Sequence, residues 1–162
     1  MRLSEGVEWA LHSCAVLALL GPDHTLPATR LAEFHGVPAA YLAKHLQQLS
    51  RAGVVESMAG RRGGYRLARP PAEIRLLDVV EAVEGSERAF RCAEIRRRGP
   101  SAVSDDQYSP VCGIARAMWR AEAAWRAELA RQTLADVVGV MGREVSPEAV
   151  AKAAAWFQEV VR

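Results

Sequence analysis

The chain has 162 residues, half of them hydrophobic and a quarter charged, which fits one globular domain with an appendage and excludes a wholly disordered polypeptide. Twenty-one Lys and Arg stand against nineteen Asp and Glu, so the net charge of +2 identifies no partner. Three cysteines is an odd count, which excludes a complete intrachain disulfide framework and fits a reducing, cytoplasmic compartment.

Residues 3–20 are predicted as a helix, because Leu3, Val7, Ala10, Leu11, Cys14, Leu17 and Ala18 recur at three- and four-residue spacing. Its apolar run, 14–20, is far short of the roughly 20 residues that span a bilayer. Glu5, Glu8 and His12 also interrupt the approach to it, so a buried helix is expected and no membrane segment. Gly21-Pro22 ends the helix. A short helix over 28–34 follows, then a third over 38–52 with Tyr41, Leu42, His45, Leu46 and Leu49 on its periodic face. Residues 54–58 and 65–67 read as strands around the Gly-rich tip Ala59-Gly60-Arg61-Arg62-Gly63-Gly64. A helix over 76–83 leads into a mostly polar, irregular stretch, 86–111. A long helix is predicted over 113–132; residues 133–138 either continue it or turn back on it. Ser146 and Pro147 start a last helix running to about 161, with no assigned role.

Charge is concentrated where the hairpin lies. Positions 51–69 hold Arg51, Arg61, Arg62, Arg66 and Arg69 against one acid, Glu56. Two short helices, a tight turn and a hairpin with an arginine tip form the order of a winged helix-turn-helix. The helix over 38–52 can enter a major groove, with Pro38, Ala39, Ala40, Tyr41, Lys44 and Gln48 as candidate contacts to bases. Arg61 and Arg62 can reach phosphates or the minor groove. The same order would also serve a protein-contact module.

The segments VPAAYLAKHLQQLSRAGVVES, GRRGGYRLARPP and LLDVVEAVEG, with MRLSEGVEWAL at the start and TLADVV late in the chain, resemble the Rrf-two superfamily of bacterial regulators. That group contains iron–sulfur-cluster repressors. The resemblance covers most of residues 1–138, and the GGYRLAR wing is its most specific part. It implies a mainly α fold with a small β-hairpin wing. The domains would be a winged helix-turn-helix over 1–75, a linker helix and cluster-binding loop over 76–112, and a dimerisation helix with a C-terminal helix over 113–162. It also implies a homodimer on palindromic, double-stranded promoter DNA. Ile114, Met118, Ala121, Trp125 and Leu129 lie at helical spacing, with Trp119 beside them, and could form the dimer face or pack within the monomer.

Cluster-bearing members of that superfamily usually carry three closely spaced cysteines before the long helix. This chain has two, Cys92 and Cys112, with residues such as Asp105, Asp106 and Tyr108 where another is expected. Cys14 lies on the first helix's apolar stripe and reads as a core residue. Glu8 and His12, four apart, project from one side of that helix, away from the stripe. By themselves they read as a solvated pair or a Glu–His hydrogen bond. Some family members draw a non-cysteine ligand from this helix of the other subunit. The resemblance therefore implies a 2Fe-2S cluster held by Cys92 and Cys112 of one subunit and Glu8 and His12 of the partner subunit. Zinc would accept the same donors; the resemblance selects iron–sulfur.

Replacing thiolates by a carboxylate and an imidazole makes such a site less negative and easier to reduce. The second ring nitrogen of His12 could couple reduction to proton uptake. This describes a redox sensor whose cluster stays bound while its oxidation state sets DNA affinity. Trp9, between the two ligands in sequence, is a candidate relay; packing at the dimer seam is the plainer role. The competing readings are cluster loss on exposure to nitric oxide or oxygen, and a cluster-free thiol switch of Cys92 and Cys112. No glycine-rich nucleotide loop, hydrolase elbow or catalytic triad pattern appears, so the chain is not expected to be an enzyme.

Overall fold

The apolar stripe on the first helix is broad enough to make it the axis of the molecule. The computed structural model describes residues 2–60 and 63–160. α1 (Glu5–Leu20) buries Val7, Ala10, Cys14, Ala15, Val16 and Leu17. α2 (Ala28–His35) and α3 (Ala39–Arg51) complete a three-helix core through Leu31, Leu42, Leu46 and Leu49, all fully buried. The turn between them depends on Gly36, whose φ of 64° lies in the left-handed region that glycine adopts without steric cost. Its N–H bonds the carbonyls of Ala32 and Glu33, closing the helix end.

The hairpin forms as predicted, with β1 (Val55–Met58) antiparallel to β2 (Gly64–Leu67) and Glu56 opposite Arg66. Leu26 extends it: two backbone bonds with Tyr65, 3.0 and 2.8 Å, tie the wing to the loop before α2. A Cβ on Gly64 would lie 2.4 Å from the Leu26 carbonyl carbon, so only glycine permits this approach. α4 (Leu76–Glu84) then packs Val79 and Val80 into the core.

α5 (Gly113–Arg131) departs from that body. Its 19 residues bury only Ala115, and span about 28 Å. At its end the chain turns back rather than continuing. Gln132 O accepts from Leu76 N–H (3.0 Å) and Ile74 O accepts from Leu134 N–H (2.8 Å), an antiparallel bridge across the fold. Thr133 caps the next helix, α6 (Leu134–Glu144): its hydroxyl accepts from Asp136 N–H while the Asp136 carboxylate accepts from Thr133 N–H. Ser146 caps α7 (Pro147–Val160) through Ala149 N–H, 3.2 Å. Two aromatic residues of α7, Trp156 and Phe157, pack on Phe34 of α2 at centroid distances of 5.1 Å. Among the described residues no helix is long and apolar enough to cross a membrane.

Candidate nucleic-acid interface and cysteine site

Helix periodicity sorts α3 into two faces. Leu42, Leu46 and Leu49 point into the core, which leaves Ala40, Tyr41, Lys44, Gln47 and Arg51 exposed in a row, with Pro38 at the start and Ala39 half-buried. Tyr41, expected on the apolar face, is 65% exposed and lies on the outer one. Gln48 lies off that row. It is half-buried, its Oε1 accepts from His45 Nδ1 (2.9 Å), and its Nε2 reaches Val83 O at 3.4 Å. The exposed glutamine is Gln47. Helical period leaves both glutamines off the leucine face; the hydrogen bond of Gln48 to the distant Val83 carbonyl is what separates them.

The basic run is partly structural. Arg66 Nε donates to the Glu56 carboxylate (2.7 Å) and its Nη1 to Pro22 O (3.2 Å). Arg69 donates to Gly53 O, Glu73 O and the Asp78 carboxylate at 3.2, 2.9 and 3.3 Å. These two guanidiniums hold the base of the wing. Arg51 stays exposed, and Arg61 and Arg62 lie outside the described residues.

The segment between α4 and α5 is mostly irregular, as expected, but side-chain contacts organise it. Short 3-10 turns form at Ile95–Arg97 and Asp105–Gln107, tied by Tyr108. The Tyr108 hydroxyl donates to Arg96 O (2.8 Å) and accepts from Val103 N–H (2.9 Å), and the Arg96 guanidinium lies 5.1 Å from its ring centroid. Arg96 also donates to Ser109 O (2.5 Å) and to the Glu94 carboxylate (2.7 Å). Sequence reading missed Arg96 and Tyr108 as organisers of the loop.

That organisation brings Cys92 beside Cys112, twenty positions away. Cys112 is the residue immediately before α5. Its pKa is lowered from the ordinary 9.0 by the backbone N–H groups of Ala115 and Ile114, then by the Cys92 side chain and the charge of Arg96. The Cys92 thiol also reaches the Glu94 carboxylate at 3.6 Å. Both sulfurs are half-buried and free of disulfide. Cys14 contrasts with them: burial in the core pushes its thiol up to about 12.

Glu8 and His12 are exposed on α1, and among the described residues Glu8 makes no hydrogen bond or ion pair. They do not stand apart from the apolar residues as expected. Both rim a groove of about 510 Å³ with Val7, Leu11, Leu134 and Met141. The ring of His12 lies 5.9 Å from that of His35, whose pKa is lowered by burial and then by the charge of His12. Trp9, half-buried, meets His45 of α3 edge-on at 6.2 Å. The two pairs are not assembled within one chain: the described residues contain no group of three or more His, Cys, Asp or Glu placed to hold a metal ion.

A helix-turn-helix with a hairpin wing, an exposed polar row on its second helix and a long projecting helix define a winged-helix DNA-binding regulator. The chain belongs to the Rrf2 family, iron-dependent transcriptional regulators, whose family profile matches residues 3–139. An HTH-type transcriptional regulator of Mycobacterium tuberculosis, MT1325, is 33% identical over 143 residues, covering 86% of this chain and 82% of that protein. The protein aau3 of Rhizobium meliloti is 34% identical over 138 residues, 85% of each chain. Two solved structures share the fold at a TM-score of 0.67. CymR of B. subtilis, a global cysteine regulator, is 23% identical and covers 86% of this chain and 98% of its own. IscR of T. potens is 22% identical and covers 90% and 93%. The chain is thus a transcriptional regulator.

Proposed function

We propose that this regulator binds promoter DNA as a homodimer and that a 2Fe-2S cluster, held by Cys92 and Cys112 of one subunit and Glu8 and His12 of the partner subunit, sets its DNA affinity through its redox state. The observation that carries this reading is the meeting of Cys92 and Cys112 at the start of α5, where the backbone favours the thiolate that a metal needs. Glu8 and His12 supply the complementary half. They are exposed and one helical turn apart, and among the described residues they form no group of three or more candidate ligands. Two sulfurs and two harder donors fit a two-iron cluster with two protein ligands on each iron. When bound, the cluster supplies a one-electron couple.

Dimerisation is supported by α5, where Ile114 and Met118 are 67% and 45% exposed. In the same reading Pro38, Ala39, Ala40, Tyr41 and Lys44 face the major groove. Gln47 stands on that surface where Gln48 was expected, and Arg61 and Arg62 supply the wing contacts. Trp9 remains the candidate relay. The domain division at 75 and 112 follows the change from helix-turn-helix to linker to long helix.

The deciding experiment is anaerobic purification with iron, sulfide and absorption analysis. A coloured protein with about two irons per chain supports the reading; a colourless protein that takes up no cluster on reconstitution overturns it. Glu8→Ala and His12→Ala should each change the visible spectrum or the potential, and Cys14→Ala should not. Trp9→Ala should retain the spectrum and lose redox-dependent DNA binding.

The adjacency of the two thiols also supports a second reading, a cluster-free switch. A peroxide would oxidise the Cys92 and Cys112 thiols to one disulfide, with the two hydrogens leaving in water. A colourless wild-type protein whose DNA affinity responds to peroxide, and whose Cys112→Ser variant does not, selects this reading.

A further inference from the structure

We infer that His45 is a positioning residue that couples the pose of the recognition helix α3 to α1, through direct contact with Gly6. Three observations converge on its imidazole, two from α1 and one from α3 itself. First, α1 touches it without a gap: a Cβ on Gly6 would sit 2.4 Å from His45 Cε1 and 2.5 Å from Nε2. Second, Trp9, almost one turn further along α1, meets the same ring edge-on. Third, His45 Nδ1 donates to Gln48 Oε1, and the Gln48 amide continues to Val83 O near the end of α4. The ring is therefore held on one side by α1 and on the other by the α3–α4 contact.

This geometry makes His45 unlike the leucines that share its face. Leu42, Leu46 and Leu49 fill the core and would tolerate small slides of α1, because apolar contacts have no direction. His45 sits between Lys44 and Leu46, with a directional hydrogen bond on its far side. A displacement of α1 at Gly6 or Trp9 has to move the ring, and the ring carries the helix that presents Tyr41, Lys44 and Gln47. Glu8 and His12 are on the same α1, so the state of the proposed ligand pair reaches α3 by this route. That last step rests on the reading in the preceding section; the Gly6–His45 coupling does not.

The test is a double-mutant cycle read as DNA affinity, with circular dichroism and thermal melting to establish folding. Gly6→Ala forces the new methyl against the imidazole and should weaken DNA binding of the cluster-free dimer about tenfold. His45→Ala alone should weaken it less. The double variant should recover to within about threefold of wild type, because the clash is gone. Additive losses in the folded double variant, or wild-type binding by Gly6→Ala, would overturn the coupling. If Gly6→Ala fails to fold, His45→Leu and His45→Gln decide. Both fill the space, but only Gln retains a hydrogen-bonding end, so it should bind DNA several-fold tighter than Leu; equal binding by the two overturns the proposal. In the coloured protein, His45→Leu should keep the visible spectrum while the affinity ratio between oxidised and reduced forms falls toward one. An unchanged ratio refutes the transmission step, whereas a colourless protein refutes the cluster reading and leaves the cycle to decide the coupling.

Discussion

The three cysteines should differ in reactivity by a margin that the fold fixes. In reduced, metal-free protein at pH 8, a thiol at about 12 is thiolate to roughly one part in ten thousand. Cys112, below its ordinary 9.0, is thiolate to more than about one part in ten at that pH. The ratio of thiolate is then about a thousand or more. A less basic thiolate is also a weaker nucleophile, which returns about twentyfold over three pK units. Iodoacetamide should therefore alkylate Cys112 at least ~50-fold faster than Cys14 from ionisation alone, and burial of Cys14 widens the gap. Peptide mapping by mass spectrometry over a time course gives both rates in one sample. The pH dependence supplies the sign: the Cys112 rate should fall as pH drops through a midpoint below the one it shows in urea. Arg96→Gln should move that midpoint up. Cys14 labelling within tenfold of Cys112, or a Cys112 midpoint at or above its value in urea, would refute the placement of these thiols.

The DNA surface gives a second prediction. Gln47→Ala should relax base discrimination by about 1–3 kcal/mol at one position, whereas Gln48→Ala should lower thermal stability with little change in base preference. Lys44→Ala should weaken binding and relax discrimination at its own position by about 1–3 kcal/mol; equilibrium titrations against single-base operator variants measure both. Thr133→Ala should cost about 1 kcal/mol through loss of the α6 cap, read from denaturant unfolding. Asp136 is held below its ordinary value by the Thr133 hydroxyl and then its N–H, so this stabilisation is present above the ordinary carboxylate value and lost as pH falls through the lowered one. The variant should show a flatter acid limb. Phe157→Ala should destabilise the molecule by about 1–3 kcal/mol, because α7 docks on α2 through that ring; a wild-type melting curve would show that the contact contributes nothing.

Much of the architecture could be read along the chain because it rests on local physics. The period of the leucines gives α3, Gly36 and the residues around Gly60 give the turns, and Ser146-Pro147 gives the start of α7. Where the sequence left two courses open, at Thr133, the outcome was decided by a non-local bridge to Ile74 and Leu76 that no window around Thr133 contains. The placement of Gln48 has the same origin. Its neighbours in sequence leave it free to face DNA, and the carbonyl of Val83, thirty-five positions away, turns it inward.

The sequence by itself determined the donor inventory and the class: two non-core cysteines, a Glu–His pair one turn apart, and a winged helix-turn-helix, because residue identity and helical period are local properties. Tertiary structure alone decided that Cys92 lies against Cys112, that Arg66 and Arg69 are bound up in the wing base, and that α1 touches the recognition helix through Gly6, Trp9 and His45. Each of these is a contact between residues distant in the chain. Its geometry is set by how the helices pack, and packing depends on every buried side chain at once.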